Sequence, residues 1–198
     1  MSDNIHKLDQ LLVQVRKCEI CAPYLELGCN PVVQANESAK LLIIGQAPGL
    51  KVHQTSVPWN DPSGDRLRHW LQLDKEQFYD QSQIAIMPMG LCYPGKGKSG
   101  DLPPRKECAP TWHQAILERL PNIGMTLLIG QYAQNYYLDD KPNTLTETVK
   151  EWQRWAPNCI PLPHPSPRNT LWLKRNPWFE DQVVLYIREY VHQHLKNK

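Results

Sequence analysis

The sequence predicts an α/β fold: a mostly parallel sheet with helices on both faces. Three observations lead there. Four short apolar runs each end at a glycine or a proline, segments of helical period lie between them, and 198 residues are enough to bury the core that such a sheet needs. In chain order, Ile5, Leu8, Leu11, Leu12 and Val15 recur at helical spacing, with Asp3 as N-cap. Lys40-Leu-Leu-Ile-Ile-Gly45 is a continuous apolar run, the mark of a strand buried on both faces. Asp65 to Leu73 reads as a helix, 84–88 as a second strand stopped by proline, and Pro103 to Leu120 as a helix whose first turns must contain Pro110. Residues 126–130 form the third strand, Gln131 to Leu138 its following helix, 158–163 the fourth strand and Phe179 to Leu195 the closing helix. No repeat or low-complexity linker interrupts this order, so residues 1–198 read as one domain.

Bulk properties narrow the function classes. No stretch nears eighteen consecutive apolar residues, and the N-terminus lacks the apolar run of a signal peptide, so no membrane role and a cytoplasmic location are expected. The formal net charge of +2 permits a nucleic-acid partner without demanding one. Six cysteines without an export signal argue for metal ligation or plain burial over disulfides. The oligomeric expectation is a monomer.

In open parallel sheets ligands bind beyond the carboxyl ends of the strands. Three segments should converge there: Gly45–Gly49, Met87–Pro94 and His164–Asn169. The glycines of Gly45-Gln-Ala-Pro-Gly49 allow a sharp turn that presents N–H groups to a ligand, although a bare structural turn has the same pattern. In His164-Pro-Ser-Pro-Arg-Asn169, two prolines stiffen the backbone around His164. A preorganised histidine can stabilise negative charge developing on a leaving group. Ser166, Arg168 and Asn169 offer groups for phosphate, although an ordinary proline-rich surface loop fits too.

Taken together, the two motifs resemble the signature motifs of the uracil-DNA glycosylase superfamily. The second is similar to that of the single-strand-selective monofunctional uracil glycosylases, and Thr55-Ser-Val-Pro-Trp59 is similar to their Thr-Gly-Val-Pro-Phe. Arg68–Leu71 and Leu127–Gly130 also fall where similar segments are expected, so the resemblance spans roughly residues 15 to 175. It implies a three-layer α/β/α sandwich with a central four-stranded parallel sheet, and DNA carrying deaminated bases as partner. The activity it implies is monofunctional removal of a flipped-out base by hydrolysis of its N-glycosidic bond. Trp59 would then stack on the flipped base, against the alternative of a core tryptophan. His164 would donate to the departing base, and Gln46 with the Gly45–Ala47 backbone would bind its edge.

The cysteines add a second likeness. Cys18-x-x-Cys21 has chelating spacing, and Cys92 and Cys108 form a later pair. Four thiolates can hold zinc or an iron–sulfur cluster, or can simply be buried. The arrangement resembles the iron–sulfur uracil glycosylases, which implies a [4Fe–4S] cluster on Cys18, Cys21, Cys92 and Cys108. In that setting Lys96, Lys98 and Arg105 would face DNA phosphates or lie on a solvated loop. Cys159 reads as a buried small hydrophobe, and Cys29 has no assigned role.

Two departures from the family pattern bear on mechanism. Ala47 stands where several relatives carry Asp or Asn, and Gln46 where the iron–sulfur enzymes have Glu. Asp61, in Asn60-Asp-Pro-Ser-Gly64, is the best replacement acid, the alternative being a helix N-cap. The second strand also ends without the asparagine that reads uracil in many relatives, leaving Met87, Met89 or backbone groups against the base. Hypoxanthine or another deaminated base therefore competes with uracil as substrate. Two other function classes remain: a non-catalytic DNA-binding module on the same fold, and a thiol redox protein using Cys18 and Cys21.

Overall fold

The computed structural model describes the backbone of residues 2–195 and the side chains of residues 7–195. Four strands pair in parallel: β1 (Leu41–Ile44), β2 (Ile84–Ile86), β5 (Met125–Ile129) and β6 (Cys159–Leu162), in spatial order β2-β1-β5-β6. Register sets Leu41 against both Ile84 and Met125, and Leu127 against Ile160. A short antiparallel hairpin, β3 (Lys96–Gly97) with β4 (Gly100–Asp101), stands apart from this sheet.

Side chains alternate across a strand, so every strand feeds two cores. On one face Leu41, Ile43, Ile84, Ile86, Leu127 and Ile160 pack against three helical segments. These are α3 (Pro62–Leu71), α7 (Leu145–Lys150) and the wide turn Phe179–Val184 that runs into α9 (Leu185–His194). On the other face Leu42, Ile44, Ala85, Met87 and Leu128 meet α1 (Ser2–Arg16), α5 (Cys108–Leu117) and α6 (Gln131–Tyr137). Short helices α2 (Leu50–Thr55), α4 (Lys75–Phe78) and α8 (Thr170–Arg175) complete the chain. This is a three-layer α/β/α sandwich. Each fully buried Leu or Ile in it contributes about 1.5–3 kcal/mol.

Several boundaries differ from the sequence expectation. Asp3 lies inside α1, which starts at Ser2, and its side chain is outside the described residues. The helix expected from Asp65 begins at Pro62, because Asp61 caps it: Asp61 Oδ1 accepts from the Gly64 N–H at 2.8 Å. The helix expected from Pro103 starts only at Cys108. Consecutive prolines push the preceding backbone toward extended conformations and donate no N–H, while Pro110 sits harmlessly in the first turn of α5.

Candidate active site at the carboxyl ends of the strands

β1 and β2 stay in contact past their ends. The Met89 N–H donates to the Gly45 carbonyl at 2.9 Å and the Gly90 N–H to the Gln46 carbonyl at 3.0 Å. β6 delivers His164 two residues after Leu162. An inner cleft of about 50 Å³ results, lined by Gly45–Gly49, Trp59, Asp61, Pro88 and His164. It continues into an open basin of about 440 Å³ that shares Gln46, Ala47, Asp61 and His164 and adds Ser166, Arg168, Asn169 and the β3–β4 hairpin.

His164 is half-buried, and burial pulls its pKa below the usual histidine range, with the Asp61 carboxylate pulling the other way. The imidazole is therefore neutral at pH 7. Its Nδ1 lies 3.2 Å from the Ser166 N–H and accepts from it, so the proton resides on Nε2. A neutral Nε2–H donor fits the task of bonding an oxygen as it gains negative charge. The loop is held from three sides. Asn169 Nδ2 donates to the His164 carbonyl at 2.8 Å, Arg66 Nη1 to the Ser166 carbonyl at 2.8 Å, and Arg168 Nη1 to the Ser99 carbonyl at 3.0 Å. The Ser166 hydroxyl accepts from the Arg168 N–H at 3.2 Å. Arg168 and Asn169 thus tie the loop to the hairpin and to itself, and the exposed Lys96 and Lys98 stand on that same hairpin.

Trp59 leans over Gly45. A Cβ on Gly45 would come within 2.7 Å of the indole, and the ring lies 5.7 Å from the His164 ring, tilted by 38°. Its backbone is left-handed, with φ 56°. Such a conformation in a bulky residue persists only when its surroundings enforce it. Here the buried Arg68 donates to the Trp59 carbonyl at 3.2 Å, and Tyr79 donates from its hydroxyl to the Pro58 carbonyl at 2.8 Å. Arg68 itself is anchored by Asp65 at 2.6 Å.

The strand-end methionines do not enter the cleft. Two-residue alternation turns Ile86 and Pro88 toward it, whereas Met87 is buried in the opposite core and Met89 lines a neighbouring basin. Pro88 is the residue that sequence reading passed over: alternation groups it with Ile86, but in a strand buried throughout it does not say which set faces the cleft. Behind it the buried His113 places Nε2 3.1 Å from the Pro88 carbonyl and Nδ1 2.5 Å from the Tyr137 hydroxyl. A carbonyl only accepts, so Nε2 carries the proton and the phenol donates to Nδ1. Burial lowers the His113 pKa to about 4.

The thiols form a separate cluster. Cys21, Cys92 and Leu25 are buried together with Cys29 packed on them, and Cys18 accepts from Trp112 Nε1 at 3.4 Å. The Cys108 thiol reaches Cys21, and a backbone N–H of Asn30 bonds Cys92. Burial, reinforced by the neighbouring sulfurs, pushes Cys92 up to about 12 and Cys108 up to about 11. Cys159 lies apart, on β6. Among the described residues no three His, Cys, Asp or Glu side chains stand at the spacing of a metal-ion site. The donor chemistry nevertheless fits a thiolate-held group: soft ligands on three separate segments, with Cys21, Cys92 and Cys108 buried and Cys18 half-buried, and N–H groups directed at sulfur. Cys29 packs against Cys21 and Leu25, close in the chain, and against Cys92, a distant neighbour that the sequence could not pair with it.

His164 and Asp61 thus share a cleft at the carboxyl edge of a parallel sheet, the place where open α/β sheets bind their ligands. A family model described as Uracil DNA glycosylase superfamily matches residues 32–188, and the chain belongs to that superfamily. Membership supports a DNA glycosylase of DNA repair, in a family that acts on DNA. Among the described residues, no helix is long and apolar enough to cross a membrane.

Proposed function

We propose that this chain is a monofunctional glycosylase that excises a deaminated base, uracil or a related one, from DNA. The observation that carries the reading is the neutral His164, its Nε2–H available and Asp61 within electrostatic reach. A base flipped into the cleft would lie against Trp59 and Pro88, with the Gln46 carboxamide and the backbone of Gly45–Ala47 at its edge. As the C1′–N bond breaks, its electron pair moves onto the base, and His164 Nε2–H bonds the base oxygen that takes up the charge. Asp61 faces the cationic sugar and accepts a proton from the water whose oxygen adds to C1′; that same proton passes by way of solvent to the departing base anion, so Asp61 is again a carboxylate, and a neutral free base and an abasic sugar remain. Asp61 Oδ1 also caps α3, which fixes the carboxylate in place.

We further propose that Cys18, Cys21, Cys92 and Cys108 hold a [4Fe–4S] cluster with a structural role, tying the segment after α1 to the loop before α5. The nearness of Cys108 to Cys21 and Cys18, and of Cys92 to Cys108 and Cys18, supports it. Brown protein containing iron and acid-labile sulfide is the expected result; colourless protein with stoichiometric zinc would replace the cluster by an ion.

Single- and double-stranded oligonucleotides carrying uracil, hypoxanthine or xanthine test the activity. Wild type should leave alkali-labile sites, while His164→Ala and Asp61→Asn should each lose about 10²-fold or more. Ala47 favours a second reading, a DNA-binding module without chemistry. Folded, metal-replete protein that cleaves none of these substrates yet binds them would establish that reading instead.

A further inference from the structure

Beside the cleft lies a larger basin, about 650 Å³, between the loop that precedes α5 and the outer face of α6. Its walls are unusual for a protein surface. Tyr24, Leu102, Tyr132 and Tyr136 are all exposed, and all four meet in this one basin. Exposed apolar side chains are ordinary when scattered and informative when contiguous. Two cations stand at the rim. Arg105 lies over the Tyr24 ring at 4.2 Å and is paired with Glu107, whereas Lys106 is exposed and has no ion-pair partner among the described residues.

The basin is continuous with the cleft. Leu102 lines both the basin and the open mouth of the cleft, and Met89, on the basin's floor, donates its N–H to Gly45. α6, which carries Tyr132 and Tyr136, starts immediately after Gly130, whose missing side chain faces His164 Cβ at 3.9 Å.

We propose that this basin is a second nucleobase subsite, which takes an undamaged base of the strand whose damaged base occupies the cleft. It rests on the glycosylase reading. Phenol faces and flat proline walls match an unstacked base better than an aliphatic peptide, which would ask for more than Leu102 and Met89. Lys106, the rim cation with no ion-pair partner among the described residues, complements a phosphate beside that base. The subsite favours single-stranded or locally opened DNA, because a base held in a duplex cannot enter it.

The test measures binding of His164→Ala protein to a labelled oligothymidine with one central deoxyuridine. In parallel oligonucleotides, one flanking base at a time is replaced by an abasic tetrahydrofuran. Affinity should fall about tenfold at one flanking position. Adding Tyr132→Ala and Tyr136→Ala should weaken the parent complex and erase that dependence; the two Phe variants should retain it. Should the double variant melt early, Tyr132→Ala alone, on an exposed side chain, carries the same comparison. No sensitive position, or a dependence that survives the tyrosine changes, overturns the subsite. So does a wild-type dimer in sedimentation that the tyrosine changes disperse, since a second copy would then cover the basin. If wild-type protein excises nothing but shows the flanking dependence, the glycosylase reading fails and the subsite stands.

Discussion

Gly64→Ala should destabilise the protein even though it replaces glycine by alanine inside a helix. Propensity alone would favour alanine by about 1 kcal/mol. The structure opposes this. A methyl at Gly64 would stand 1.7 Å from the Trp59 carbonyl oxygen, 2.6 Å from its carbonyl carbon and 2.9 Å from its Cβ. Carbon and oxygen in close contact sit about 3.3 Å apart, so something must move by about 1.5 Å. The nearest atoms are backbone, and no flexible side chain can swing away. Moving Trp59 strains its bond from the buried Arg68, worth about 1.5–3 kcal/mol as a charged hydrogen bond, and overpacking adds about 1–3 kcal/mol. Moving Gly64 instead breaks the cap with Asp61. The net loss is about 2–4 kcal/mol, a fall in Tm of roughly 4–16 °C for a chain of this size. Trp59 and Asp61 both line the cleft, and an ångström of misplacement can cost about 10²-fold in rate. Thermal melts and excision rates read the two effects. Gly49→Ala is the control for the melts, because its added methyl meets only Asp101 Oδ2 at 3.7 Å. A Gly64→Ala protein that melts at or above wild type would refute the claim that this contact fixes Trp59.

Other predictions concern titration and thiols. Asp61 raises the His164 pKa against the pull of burial, so Asp61→Asn should lower it further in an NMR titration; a rise would show that the two side chains are not coupled as described. His113 takes up a proton only near pH 4 in the folded state but near 6.5 when unfolded, so acid favours unfolding. Stability from this group is present above pH 6.5 and declines by up to roughly 3 kcal/mol as pH falls to 4. His113→Ala should be less stable at neutral pH, with urea midpoints that change less over that range. Asn169→Ala removes the bond to the His164 carbonyl and should cost about 0.5–1.5 kcal/mol together with a lower excision rate; an unchanged rate would leave Asn169 with no positioning role. Serine in place of Cys18, Cys21, Cys92 or Cys108 should remove bound iron, whereas Cys29→Ser and Cys159→Ser should keep it. Iron retained in Cys18→Ser but lost in Cys29→Ser would reassign the ligands.

Much of the fold was legible because its signals are local. Strands buried on both faces must be apolar throughout, and the runs at 41–44, 84–86, 125–129 and 159–162 could hardly be anything else in an α/β chain. The two loops that flank the cleft were legible because glycine and proline mark backbone that side-chain pattern alone would not explain. Both readings of Asp61 were visible too, and the structure makes it a cap within reach of His164.

What the chain order could not reveal depends on pairs of residues far apart in it. The spatial order β2-β1-β5-β6 follows from which strands meet, and identical apolar runs are compatible with several orders. Pro88, rather than either methionine, faces the cleft because the phase of β2 was set by its packing on β1. The clamp of Arg68 and Tyr79 on the Trp59 loop, the bond from Arg168 to Ser99 and the packing of Cys29 on Cys92 each join separate segments. Periodicity records which face of an element is buried; only the assembled layers decide what that face meets, because a contact's energy belongs to both partners and the sequence pattern displays one at a time.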